Sequence, residues 1–127
     1  MVEYTESLDG VAPVHLQGFF VGWRNAQTPE QHLAILRGSA HVVLARDGER
    51  VVGFVTAISD GVLSAYIPLL EVLPEYQGRG IGSELTRRIL ARLESLYMVD
   101  LCCDADLEPF YTRFGLQVFD RGMGLRR

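Results

Sequence analysis

The chain has 127 residues, 48% hydrophobic and 22% charged, an ordinary globular composition. That length can bury about two-thirds of its unfolded surface, so a core needs no metal or disulfide, and disorder or a collagen-like repeat is excluded. A net charge of −4 argues against duplex nucleic acid as main partner. No apolar run approaches the roughly 20 residues of a membrane helix, so no membrane partner is expected.

The acidic start MVEYTESLDG lacks the basic and apolar parts of a secretion signal, which predicts a single cytoplasmic domain. Leu16, Phe19, Phe20 and Trp23 follow the i, i+3, i+4, i+7 spacing of one helical face. Thr28-Pro29-Glu30-Gln31 reads as a helix start, with Thr28 as cap, Pro29 at the first helical position and Gln31 completing a capping box. That helix runs to about Leu36, with Gly38 as its stop. His41–Arg46 and Arg50–Ile58 read as strands joined by an Asp47-Gly48 turn. Asp60-Gly61 then leads into a long apolar strand, Ser64–Leu73, ending at Pro74. These three strands form an antiparallel meander.

The second half changes pattern. Ile81, Leu85, Ile89 and Leu93 mark an amphipathic helix. Met98–Cys103 reads as a short apolar strand covered on both faces. Leu107, Phe110, Tyr111 and Phe114 mark another helix, capped by Asp106 and stopped by Gly115. Leu116–Phe119 is a last strand, with Met123–Leu125 a short partner for it. The order αα-βββ-αβ-αβ predicts an α/β fold with a mixed antiparallel and parallel sheet and helices on both faces. Cys102 and Cys103 are adjacent, cannot pair with each other in ordinary disulfide geometry, and fit no metal-ligand spacing, so they read as buried thiols in a reducing compartment. No metal is expected.

The chemistry concentrates in Gln77-Gly78-Arg79-Gly80-Ile81-Gly82-Ser83. Glycines let a ligand approach the backbone closely, and the N–H groups and positive dipole end of the following helix favour an anion, above all a phosphate. Neither common phosphate loop fits. The dinucleotide pattern would need glycine where Ser83 stands, and the Walker pattern needs a lysine, whereas all 12 basic side chains are arginine.

The run Val72 to Gly82 resembles the acetyl-CoA loop of the GNAT superfamily of N-acetyltransferases. Gln77, Gly80 and Gly82 match its Arg/Gln-x-x-Gly-x-Gly/Ala signature. Asp104 to Leu116 resembles the family's last conserved helix, with Pro109-Phe110-Tyr111 and Arg113-Phe114-Gly115 close to the arylalkylamine acetyltransferase version. The resemblance covers about residues 41 to 125. It implies acetyl-CoA as co-substrate in a gap beside the meander's last strand. The pyrophosphate would lie on the N–H groups of Gln77, Gly78, Arg79, Gly80, Ile81, Gly82 and Ser83. The pantetheine arm would pair with backbone at Leu70 to Val72. It also implies Val72 N–H as oxyanion donor and Tyr111 as the acid for the leaving thiolate. Arg79 and Arg113 become candidates for the 3′-phosphate. Where the family often has an asparagine on the pantetheine arm, this chain has Asp104, which can accept a hydrogen bond but cannot donate one.

An incoming ammonium must lose a proton. Glu71, the sole acid in Ser64–Leu73, either draws that proton away through water, or answers an arginine on a neighbouring strand or faces solvent at an edge. His15, His32 and His41 have the intrinsic pKa of a base and would be equally at home on the surface. Tyr111 also lies on the apolar stripe of its helix, where a core role competes with the acid role. In the family the first helices and last strands line the acceptor, which places Phe19, Phe20, Trp23 and Tyr66 there and suits an apolar or aromatic amine. The acceptor is then a small-molecule or peptide amine. The lack of lysine leaves no internal side-chain amine for a thioester to acylate. The short C-terminus implies a homodimer to close the site. The rival readings are a longer acyl-CoA as donor, a CoA-binding regulatory module without catalysis, or a structural or interaction domain with no CoA site, against which the Gly-rich helix start and the Tyr111 spacing speak.

Overall fold

The computed structural model describes every residue except Asp120. Its elements are β1 (Val2–Thr5), α1 (Pro29–Gly38), β2 (His41–Asp47), β3 (Arg50–Ser59), β4 (Ser64–Val72), α2 (Ile81–Arg92), β5 (Met98–Asp100) and α3 (Glu108–Thr112), with single 3₁₀ turns at Pro13–Leu16, Pro74–Tyr76 and Ala105–Leu107. The strands form one five-stranded sheet in the order β1-β2-β3-β4-β5. The first four are mutually antiparallel. Only β4 and β5 run parallel, as a helical crossover requires.

β3 lies at the centre, and Val51 through Ala57 are all buried, because both faces of the sheet are covered. On one face Phe54 meets Phe19 and the α1 residue His32 edge-on or tilted, at centroid distances of 5.2 and 4.3 Å. On the other, α2 lies so close to Gly53 that a Cβ there would stand 3.1 Å from Leu85 and 3.2 Å from Ile81. The missing side chain at Gly53 therefore sets how near α2 approaches. The spacing of Ile81, Leu85 and Ile89 puts all three side chains into this interface, at 3% exposure or less.

α1 begins as its sequence predicts. Thr28 Oγ1 accepts from the Gln31 N–H at 3.1 Å, and the Gln31 side chain accepts from the Thr28 N–H at 2.8 Å. The Asp47-Gly48 turn also forms, with Gly48 at φ 61°.

Several expectations are corrected. Leu16 ends the 3₁₀ turn Pro13–Leu16, and residues 17–23 are a folded loop. Gly18, Phe20 and Gly22 take positive φ (93°, 63° and 79°), which breaks any helix. Phe19 and Phe20 are nonetheless buried, so the helical spacing was met by a loop. A strand absent from the sequence reading, β1, pairs with β2. β5 stops at Asp100, so Cys102 and Cys103 are exposed, contrary to the buried thiols expected. Leu116–Phe119 and Met123–Leu125 form no strand, and Val118, Phe119 and Leu125 stay exposed. α3 is capped by Leu107, while Asp106 lies within the preceding turn. Among the described residues after Leu93, none is buried. No helix among the described residues is long and apolar enough to cross a membrane.

Candidate active site

β4 stays on β3 through Val72, but it pairs with β5 only from Ser64 to Tyr66. Beyond Tyr66 the two strands diverge and leave a gap. The Leu73 N–H bonds to the Val52 carbonyl at 2.9 Å. Alternation along a strand therefore directs the backbone polar groups of Leu70 and Val72 away from β3, into the gap. Pro68, which has no N–H to give, sits beside the irregularity in register between β3 and β4, where a strand tolerates proline.

The Gly-rich loop closes one side of the gap. Gly78 and Gly80 have φ of 78° and 81° with open space where a Cβ would stand. Their glycines are required by the backbone, not by crowding. Gly80 is the N-cap of α2, so the unpaired N–H groups of the first turn of α2 face the cleft. The Gln77 side chain donates to the Val72 carbonyl at 3.0 Å and ties the loop to β4. Tyr76 anchors the loop's other side, its hydroxyl donating to Asp47 at 2.6 Å. α3 faces this loop. Arg113 reaches across to donate to Ser83 Oγ at 2.9 Å. Gly82 sits between α3 and β4, where a Cβ would lie 3.8 Å from Phe110 and 3.9 Å from Val72.

Two clefts meet at Leu70–Val72. The larger, about 460 Å³, is bounded by β4, the loop, the start of α2 and α3, and Tyr111 and Arg113 line it. The smaller, about 330 Å³, lies on the other side of Leu70, Glu71 and Val72, against Val21, Trp23 and Phe54. Glu71 and Gln77 border both.

Of the residues singled out by sequence, Glu71, Leu70, Val72, Gln77, Gly78, Gly80, Ile81, Gly82, Ser83, Tyr111 and Arg113 come together around the larger cleft. Arg79 and Asp104 do not line it. Arg79 stacks over the Tyr76 ring at 4.8 Å and donates to the Glu75 carbonyl at 3.0 Å, bracing the loop from outside. Asp104 precedes the Ala105–Leu107 turn and is exposed.

Tyr111 is half-buried, and burial, followed by the nearby Cys103, pushes its pKa above the usual tyrosine value. It stays protonated at neutral pH, as a proton donor must. Among the described residues no arginine pairs with Glu71. Its two oxygens accept the Phe20 N–H at 2.9 Å and the Val21 N–H at 3.2 Å. This clamp was invisible in the sequence, the only sign being the pair Gly18 and Gly22 around Phe19 to Val21. Phe20 is the one non-glycine among the described residues with positive φ, a conformation costing about 1–2 kcal/mol. The strain is held by the packing of its ring against Trp23 at 5.1 Å and His32 at 5.0 Å.

The histidines lie away from the clefts. His32 is fully buried and its pKa falls to about 4 through desolvation. His15 accepts from the Ala12 N–H at 3.0 Å, and His41 opens β2. Tyr66 lies at the β5 edge opposite Asp100, outside both clefts. Among the described residues no group of three or more His, Cys, Asp or Glu could hold a metal.

Comparison with known proteins agrees with this architecture. Residues 8–116 match the family model described as acetyltransferase (GNAT) family. A crystal structure of an acetyltransferase-type protein from Deinococcus radiodurans R1 is 51% identical, with TM-score 0.94 over 99% of this chain and 88% of that one. Among curated proteins, one named uncharacterized N-acetyltransferase ycf52, from Porphyra purpurea, is 26% identical over 75% of this chain. This chain spans 58% of that relative's length. Arabidopsis thaliana Naa50, crystallised with a bisubstrate analogue, shares the fold at TM-score 0.69 and 22% identity, over 94% of this chain and 85% of its own. With the split strand, the glycine loop and the facing tyrosine in one cleft, these matches place the chain in the GNAT family of acetyltransferases, to which it belongs.

Proposed function

We propose that the chain is an acetyl-CoA-dependent N-acetyltransferase that moves the acetyl group directly to a primary amine. The carrying observation is the divergence of β4 from β5 after Tyr66, which opens backbone groups of Leu70 and Val72 between the two clefts. The residues of the larger cleft fit CoA. Leu70 and Val72 offer an edge to the amide-bearing pantetheine arm. The first turn of α2, freed of Cβ atoms at Gly78 and Gly80, suits a pyrophosphate. Arg113 stands at the rim beside Ser83, where a phosphate could draw it. Further support comes from the fold neighbour Naa50, whose structure contains the CoA-Ac-MVNAL conjugate.

In this reading the amine enters from the smaller cleft. Glu71 receives the ammonium and draws its proton away through water. The amine nitrogen attacks the thioester carbon, and the Val72 N–H donates to the carbonyl oxygen as negative charge builds there. The C–N bond forms, the C–S bond breaks, and Tyr111 gives its proton to the departing thiolate. The products are the N-acetyl amide and free CoA. We assign the chain to the cytoplasm, and a homodimer in solution remains part of this proposal.

Calorimetric titration with acetyl-CoA, beside a thiol-release assay over an amine panel, tests the reading. Saturable binding that is lost in a folded Gly80→Glu variant, together with amine-dependent thiol release, is expected. The absence of binding would overturn the proposal. Binding with no thiol release on any amine would leave a CoA-binding module without catalysis.

A further inference from the structure

The smaller cleft is selective in its chemistry, and what it selects follows from its walls, granted the proposed acetyl transfer. Val21, Trp23, Phe54, Pro68 and Leu69 supply apolar walls, polar surface of comparable extent lies between them, and Glu71 is the one charged side chain among the described residues that border it. Arg24, next in sequence to Trp23, is not among them. The Glu71 carboxylate is already oriented, each oxygen holding one backbone N–H from the Phe20–Val21 turn. A carboxylate oxygen has a second lone pair, so Glu71 can still accept from a ligand ammonium without releasing its clamp. Trp23 is 49% exposed and held edge-on by the buried Phe20 ring at 5.1 Å. It therefore presents a positioned apolar surface to the cleft.

We infer that the acceptor is a monocationic primary amine with an apolar, flat body and no carboxylate on the carbon bearing the nitrogen. The ammonium meets Glu71, and the body lies along Trp23, which makes Trp23 a specificity-determining residue. A carboxylate beside that ammonium would face Glu71 with no cation among the described lining residues to answer it, and like charges so placed repel. Free amino acids are thereby excluded, while amines of the same shape without the acid are admitted.

The test compares 2-phenylethylamine, L-phenylalaninamide and L-phenylalanine at saturating acetyl-CoA. The first two should show kcat/KM values within about tenfold of each other and at least about 100-fold above L-phenylalanine. Trp23→Ala should raise KM for 2-phenylethylamine by about tenfold or more. The loss should be selective for the body of the amine, with kcat/KM for 2-phenylethylamine falling at least about tenfold more than kcat/KM for ethylamine. Equal use of L-phenylalanine overturns this inference while leaving the acetyl transfer standing. An equal loss for ethylamine overturns the role of Trp23. No turnover of any amine by protein that binds acetyl-CoA overturns both the inference and the proposed catalysis.

Discussion

His32 makes the fold sensitive to mild acid, and the size of the effect can be worked out. Its ring is fully buried among Phe19, Phe20 and Phe54, and neither nitrogen has a hydrogen-bond partner within the described protein. Burial penalises the imidazolium, which lowers the pKa from 6.5 to about 4. The unfolded chain therefore binds a proton that the folded chain refuses between these values, and stability falls as pH drops through that window. Above about pH 7 the penalty is absent. At pH 5 it reaches about 2 kcal/mol, a substantial share of the total stability of a typical domain. For a chain of this length that lowers the melting midpoint by roughly 5–8 °C. His32→Leu replaces the ring by an apolar side chain of similar size. Calorimetric melting of both proteins from pH 7.5 to 5 should show equal or higher stability for the variant at pH 7.5, and a gap widening by about 2 kcal/mol at pH 5. Carboxylate titration falls mostly below that range. Parallel curves for the two proteins would refute the argument.

Tyr111→Phe should lower kcat by about 100-fold or more while changing acetyl-CoA affinity less than threefold in calorimetry. Since burial raises the Tyr111 pKa above 10.0, the alkaline limb of kcat that this residue sets should lie above that value in a pH–rate profile and vanish in the variant. Gly53→Ala forces a Cβ to 3.1 Å from Leu85 and should cost about 1–3 kcal/mol in urea unfolding, since the Leu85 and Ile81 side chains must give way. Thr28→Ala removes one half of the α1 capping box and should cost about 1 kcal/mol in the same assay, with no effect on acetyl-CoA binding.

Legibility in the sequence followed the physics of each segment. The β2–β3–β4 meander and α2 were plain because long apolar periodicities and turn residues agree there. The capping box of α1 is a local interaction, and local sequence contains all of it. Residues 16–23 were misread because burial imposes apolar residues on any segment that covers a core. Leu16, Phe19 and Phe20 met helical spacing while Gly18 and Gly22 unwound the backbone. β1 was missed because four residues with an acid among them carry little pattern. Most residues that line the larger cleft were legible because the glycine loop and the Tyr111 segment are each contiguous in sequence. The clamp on Glu71 was not, since its donors are backbone groups fifty residues away that only the folded chain brings near. Asp104 and Arg79 fall outside the larger cleft, Asp104 exposed ahead of a turn and Arg79 over the Tyr76 ring, an outcome that spacing alone does not encode.

The chain after Leu93 holds no buried residue among those described, yet it carries Tyr111. The hydrogen-bonded core around β3 opens only by global unfolding, whereas α3 and its flanks can open locally at much smaller cost. Amide exchange around Tyr111 should therefore be fast in the free protein. A ligand spanning the glycine loop and α3 would slow it, and part of its binding free energy would go into holding this segment in place. Affinity for the donor and the order of the proton donor are then two readings of one equilibrium.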